Sequence, residues 1–158
     1  MDKVNITNIS DRLVGHWTGT KELYFTGPPN PDNVSDSQLT ISPVALGKFL
    51  SFSYTWEFKG TSHEGFMLVG NGNAERITTA AWVDSFHMSD KIMYCEGTVD
   101  GQRRINVLGS YEAPPGPDWS WRIKVIPGND SLQIIMFNIS PDGEEVLAVR
   151  ASYAGAED

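Results

Sequence analysis

The stretch Leu50-Ser51-Phe52-Ser53-Tyr54-Thr55-Trp56-Glu57-Phe58 alternates with a period of two. Every second residue from Leu50 to Phe58 is large and apolar, and Ser51, Ser53, Thr55 and Glu57 stand between them. A strand places successive side chains on opposite faces, so this pattern turns one face to a core or cavity and the other to water. Strand-like runs recur at short spacing, at 15–25, 38–42, 65–69, 77–83, 92–98, 104–109, 120–126, 132–139 and 145–153. Turn-forming groups separate them: Asn71-Gly72-Asn73, Asp100-Gly101, Pro127-Gly128-Asn129 and Pro141-Asp142-Gly143. Pairs such as Asp-Gly and Asn-Gly suit tight hairpins between antiparallel neighbours. The pattern predicts an all-β chain of about nine or ten antiparallel strands, in a barrel or a sandwich. A closed barrel removes the edges that aromatic-rich strands would otherwise expose.

Outside this pattern, Asn8 or Ser10 is placed to cap a short helical turn through Asp11-Arg12-Leu13. The stretches 26–37 and 112–118 are rich in proline, which fixes φ and lacks an amide donor, so both read as loops. The first is positioned to lie over the mouth of a barrel. No internal repeat or linker divides the chain, and 1–158 reads as a single domain.

Composition narrows the function. A chain of 158 residues with 40% hydrophobic residues is long enough to bury a core without staples. Five Trp, five Tyr and seven Phe favour β structure or an aromatic-lined cavity. A net charge of -8 repels phosphate backbones and anionic lipid, which argues against nucleic-acid and membrane partners. The single cysteine, Cys95, lies in an apolar run and has no internal disulfide partner, as expected in a reducing compartment. The start Met1-Asp2-Lys3-Val4-Asn5 does not read as a signal peptide, and no apolar run reaches membrane-spanning length. The expectation is a cytoplasmic protein.

A series of short motifs runs through the chain in order. It comprises Leu13-Val14-Gly15-His16-Trp17-Thr18-Gly19, Leu46-Gly47-Lys48-Phe49-Leu50 and Glu64-Gly65-Phe66-Met67-Leu68-Val69-Gly70. Trp82-Val83-Asp84-Ser85, Glu96-Gly97-Thr98-Val99-Asp100-Gly101, Ser140-Pro141-Asp142-Gly143 and Ala151-Ser152-Tyr153 follow. The series resembles the lipocalin-like (calycin) barrels and is more closely similar to a family of small bacterial β-barrel proteins of unknown function. The resemblance implies one lipocalin-like barrel with a short N-terminal helical turn. That family has no agreed activity, so it implies an architecture rather than a reaction.

Gly15-His16-Trp17 fits that architecture physically. Glycine permits close approach or an unusual dihedral at the start of a strand, and an indole can plug the narrow end of a barrel. In lipocalin-like barrels an arginine from the last strand crosses that indole, and Arg150 is the candidate here. Such a contact would contribute about 0.5–2 kcal/mol. Alternation with Leu147, Val149, Ala151 and Tyr153 turns Arg150 outward instead, so Gly15 and Arg150 read as structural either way. The chain departs from the resembled pattern at Arg150, where an acidic residue is expected. After Gly70 it has Asn71-Gly72-Asn73 in place of a tyrosine and an aspartate.

Candidate ligand-binding residues come from the aromatic face of the opening stretch: Phe52, Tyr54, Trp56 and Phe58. Trp17, Trp82, Met93, Trp121 and Met136 are partners from other strands, and Tyr54 or Asp84 would orient a ligand. The alternative reading of Asp84 is a turn residue that ends a strand, and the alternative to a hollow barrel is one filled by side chains. Small residues at Ala80, Ala81, Gly97 and Gly109 would leave room or ease bending.

Metal and haem chemistry find little support. His16, His63 and His87 lack zinc-site spacing, His63 and His87 fall in stretches that read as turns, and all three read as surface or loop residues. Barrels that bind haem share a Gly-x-Trp-x-Gly start but ligate iron through a late histidine, and none follows His87. Asp84, Ser85 and His87 are too close in sequence to form a triad, and no Gly-x-Ser-x-Gly elbow is present. No metal, cofactor or catalytic residue is therefore expected. The leading expectation is non-enzymatic binding of a small hydrophobic molecule in the barrel interior. An isomerase or hydrolase using a polar group in an apolar barrel, or an oligomeric barrel such as a homodimer, are the alternatives.

Overall fold

The computed structural model describes residues 5–155. A single helix, α1 (Ile6–Leu13), precedes ten strands. These are β1 (Gly15–Leu23), β2 (Asn33–Val44), β3 (Phe49–Phe58), β4 (Thr61–Asn71) and β5 (Ile77–Asp84), then β6 (Met93–Val99), β7 (Ile105–Tyr111), β8 (Trp119–Pro127), β9 (Ser131–Ile139) and β10 (Glu145–Gly155). Each strand pairs antiparallel with its neighbours in sequence. β1 also pairs with β10, so the sheet closes as a ten-stranded barrel.

The alternation in the opening stretch carries through to the structure. Phe52, Tyr54 and Trp56 on β3 face inward and are 0%, 6% and 1% exposed. Inward side chains from every strand join one continuous apolar core together with α1. Met93, Val107, Ile123 and Met136 fill its middle layers. The interior is thus packed where a hollow was one expectation. The void beside Lys21, Tyr54 and Met136 measures about 10 Å³, room for at most a single water.

The two ends of the barrel differ. At one end α1 lays Ile6, Ile9 and Leu13 into the core, each at most 2% exposed. Their spacing of three and four residues keeps them on one helical face. Asn71 Oδ1 accepts the Ile6 N–H at 2.8 Å, so β4 caps the helix. The Trp17 indole N–H donates to the Leu13 carbonyl at 2.9 Å, so the plug is fastened to the helix. The 24–32, 59–60, 85–92, 112–118 and 140–144 loops gather at the opposite end, the mouth.

Several expectations need correction here. The helix begins at Ile6, so Asn8 and Ser10 lie within it rather than capping it. The Ser10 hydroxyl donates back to the Thr7 carbonyl at 3.1 Å. Residues 33–37, expected in the first loop, belong to β2, where Ser37 is fully buried and hydrogen-bonded to Tyr153 at 2.7 Å. His63 lies in β4, not in a turn. Of the two orientations open to Arg150, the structure has the outward one that alternation favours, toward Glu22 at 3.9 Å, and the Trp17 indole is satisfied by Leu13.

The glycines of the Gly15-His16-Trp17-Thr18-Gly19 motif have separate tasks. Gly15 has φ of 146°, a region that side chains disfavour, and it turns the chain from α1 into β1. Gly19 lies on the β1–β10 seam, where an added Cβ would come 1.8 Å from the Ser152 carbonyl oxygen. Backbone cannot yield as a flexible side chain does. We therefore expect Gly19→Ala to cost about 3 kcal/mol or more, seen as a lower midpoint in urea, whereas Gly101→Ala, with open space around it, changes the midpoint little.

Candidate functional site

The inward positions of β1 run Trp17, Gly19, Lys21, Leu23, so alternation places a lysine inside the barrel. Lys21 is 2% exposed. Its ammonium lies 3.7 Å above the Trp56 ring centroid and 3.7 Å from Asp84 Oδ2, too long for a hydrogen bond. Asp84 closes β5 and is equally buried, and both of its oxygens are engaged. Oδ2 accepts the Tyr54 hydroxyl at 2.6 Å and the Trp56 indole N–H at 3.3 Å. Oδ1 accepts the backbone N–H groups of Phe86 at 2.8 Å and His87 at 3.2 Å. The Trp82 indole N–H in turn donates to the Tyr54 oxygen at 3.0 Å. Gly65 makes room for this phenol, because a Cβ there would stand 2.2 Å from the Tyr54 oxygen.

The Asp84 bonds fold the 85–87 turn over the mouth and set His87 on a bed of indoles. Its ring stacks on Trp56 at 5.7 Å and packs against Trp121 at 5.4 Å, and Trp121 stacks on Trp82 at 5.6 Å and 9°. His87 is therefore not the surface residue expected from its turn.

Burial and charge set the protonation states. Burial lowers the Lys21 ammonium to about 8 despite the pull of Asp84. Burial alone would raise the Asp84 carboxyl, but Lys21, His87 and the donated hydrogen bonds together hold it below its ordinary value. Burial, reinforced by the Lys21 charge, lowers His87 to about 3, so its imidazole is neutral at physiological pH. The Tyr54 phenol is pushed well above its ordinary value, first by burial and then by Asp84.

Above this cluster the mouth holds a cavity of about 400 Å³. Leu23, Phe86, Trp119, Trp121 and Leu147 supply apolar wall, and His87, Asn138 and Glu144 supply polar groups. Among the described residues three buried side-chain nitrogens have no hydrogen-bond partner: Trp121 Nε1 and His87 Nε2, on residues that line the cavity, and Lys21 Nζ in the cluster beneath it. A wider groove of about 590 Å³ crosses the outer wall at Asp36, Glu57 and His63. There His63 Nδ1 already pairs with the Ser85 hydroxyl at 2.9 Å, so the mouth cavity is the better candidate.

The predicted site residues divide accordingly. Trp121 lines the mouth cavity. Tyr54, Trp56, Trp82 and Asp84 form the network beneath it. Met136 flanks the void beside Lys21, Phe52 and Met93 pack in the core, and Phe58 packs half-buried against Phe86. Trp17 lies at the closed end, and Gly15 and Arg150 touch none of this. Lys21 and His87 were missed. Counting by twos from Trp17 would have found Lys21, whereas no local signal marks His87.

A family model described as "Protein of unknown function (DUF1579)" matches residues 9–154. The chain belongs to this family. Among solved structures it is similar to Rv2717c from M. tuberculosis, with a TM-score of 0.66 and 15% identity. The match covers 99% of this chain and 100% of that one, and at this identity it speaks to the barrel fold alone. A search of curated proteins finds no match. Among the described residues no group of three or more His, Cys, Asp or Glu side chains is placed to hold a metal ion, and no helix is long and apolar enough to cross a membrane.

For this DUF1579 chain the protonation states fix a pH dependence. Between about 8 and 10.5 the unfolded chain binds the Lys21 proton and the folded one does not, so the Lys21 contribution to stability rises with pH there. It amounts to about 3 kcal/mol across that window. His87 acts in the same sense at acid pH, and its contribution is lost as pH falls from 6.5 towards 3. In an NMR titration of lysine labelled at Cε, the Lys21 resonance should move near pH 8 and vanish in Lys21→Met. A Lys21 resonance titrating near 10.5 would refute the assignment.

Proposed function

We propose that this protein is a non-enzymatic carrier of a small, largely apolar molecule bearing a polar oxygen, held at the barrel mouth. The observation that carries the reading is the pair of sealed, unpartnered nitrogens, Trp121 Nε1 and His87 Nε2, on two residues that line the mouth cavity. Buried polar atoms in native proteins nearly always find partners, because a lone donor costs its full desolvation. A ligand oxygen beside the indole would supply the missing acceptor. The volume of about 400 Å³ lies within the usual range for small-molecule sites, and the apolar wall would provide most of the affinity. The mouth replaces the interior as the place of binding because the interior is filled.

An acid–base enzyme would also want a buried carboxylate and a histidine of shifted pKa, and Asp84 and His87 have both properties. However, Asp84 already accepts four hydrogen bonds and the pull of Lys21, which leaves it no free position toward a substrate. Its role reads as positioning the mouth.

The neutral probe 2-(1-naphthyloxy)ethanol, an aryl ether of suitable size, tests the reading by quenching of Trp fluorescence. Binding is expected to weaken about five- to tenfold in Trp121→Phe, which keeps a ring against Trp82 but removes the N–H donor. Quenching that is absent in the wild type, or equal in the two proteins, would count against the reading.

A further inference from the structure

Charge is divided unevenly between the two ends of the barrel. The mouth loops carry Asp32, Asp90, Glu112, Asp118, Asp142 and Glu144 against Lys59 and Lys91, and all are exposed. Lys91 itself lies 3.6 Å from Asp90. The turns of the closed end carry Lys48, Arg76, Arg103 and Arg104 against Glu75, Asp100 and Asp130. The mouth loops thus carry a net charge of -4 and the closed-end turns a net charge of +1.

The cavity wall repeats this bias. Glu144 is a lining residue, and no lysine or arginine lines the cavity. The nearby guanidinium groups are already engaged, Arg150 with Glu22 and Arg122 with Glu145 at 2.6 Å. His87 is neutral, and the Lys21 charge beneath is answered by Asp84. An anion entering this mouth would meet the rim carboxylates and find no cation on the cavity wall, since Lys59 on the β3–β4 turn lies over the Phe58 ring instead. A cation would meet carboxylates at the rim and aromatic wall behind them, and aromatic rings attract cations.

Trp121 adds an independent requirement. It lines the cavity, is 7% exposed, and its sealed indole nitrogen has no partner among the described residues. A positive charge alone does not satisfy an N–H donor, so the ligand needs an oxygen acceptor as well.

Building on the mouth site proposed above, we propose that its ligand is an organic cation: an amine or quaternary ammonium with an apolar body and an ether or hydroxyl oxygen. The oxygen accepts the Trp121 N–H, the apolar body lies along Leu23, Phe86 and Leu147, and the cationic group faces Glu144 at the rim.

Three naphthyl ethers that differ only in charge test this. They are 2-(1-naphthyloxy)ethylamine, 2-(1-naphthyloxy)ethanol and 1-naphthyloxyacetate, titrated against the full chain with Trp fluorescence and calorimetry. At 20 mM salt the amine should bind at least about tenfold tighter than the acetate, and the ratio should shrink to about threefold or less at 0.5 M salt. Glu144→Gln should weaken the amine about three- to tenfold and leave the alcohol unchanged. Glu144 is exposed, and its backbone N–H bond to the Ser140 hydroxyl does not involve the carboxylate, so the variant should fold. Acetate binding as tight as the amine, or an amine preference indifferent to both salt and Glu144→Gln, would overturn the cation assignment while leaving the mouth site standing. Failure of all three to bind would overturn the mouth site and the cation assignment together.

Discussion

A carboxylate taken out of water must be surrounded by donors, and in this barrel that demand falls on Asp84. Its oxygens collect a phenol and an indole from β3, an ammonium from β1 and two backbone N–H groups from the turn that follows β5. No single strand could provide that set. The network therefore fixes β1, β3 and β5 relative to one another at the mouth, and it bends the 85–87 turn inward. His87 is held on the indoles of Trp56, Trp82 and Trp121 as a result, and the cavity above takes its shape from that placement.

The arrangement also separates two kinds of polar group. Those beneath the mouth, Tyr54, Asp84 and the Trp56 and Trp82 indoles, are satisfied by one another. Trp121, which stacks directly on Trp82, is not. Two stacked indoles of the same chemistry thus have different tasks, one inside the network and one on the cavity wall. The closed end shows the opposite economy, with the Trp17 indole and the first amide of α1 both answered within the chain.

Much of the fold was legible because period-two alternation is a property of neighbours in sequence. Leu50 to Phe58, the tight turns and Trp17 could be read directly. Inaccuracies fell where distant pairing overrides local composition. Residues 33–37 look like loop because Asn33, Ser35 and Asp36 are poor strand formers, but β1 and β3 hold them in register on both sides. The aromatic face was read correctly as inward, yet sequence alone could not say whether it lined a space or filled one. That depends on how Phe52, Met93 and Met136 interdigitate across the barrel. Lys21 was overlooked because a charged side chain is ordinarily assigned to water, even where alternation says otherwise. His87 owes its position to two hydrogen bonds with Asp84, which no spacing rule reports.

The close approach at Gly19 has a kinetic side. The seam joins the first strand to the last, with Gly19 opposite Tyr153, so β1 leaves the ribosome with an unpaired edge that nothing can cover until β10 follows. Pairings this distant in sequence are reached slowly, since the loop entropy is lost before the contact is gained. While the barrel stands open, both edges can recruit strands from other chains. A small side chain added at the seam would prolong that interval as well as weaken the finished sheet. Yield on refolding, which falls as protein concentration rises, would then register the defect more sharply than the melting of molecules already closed.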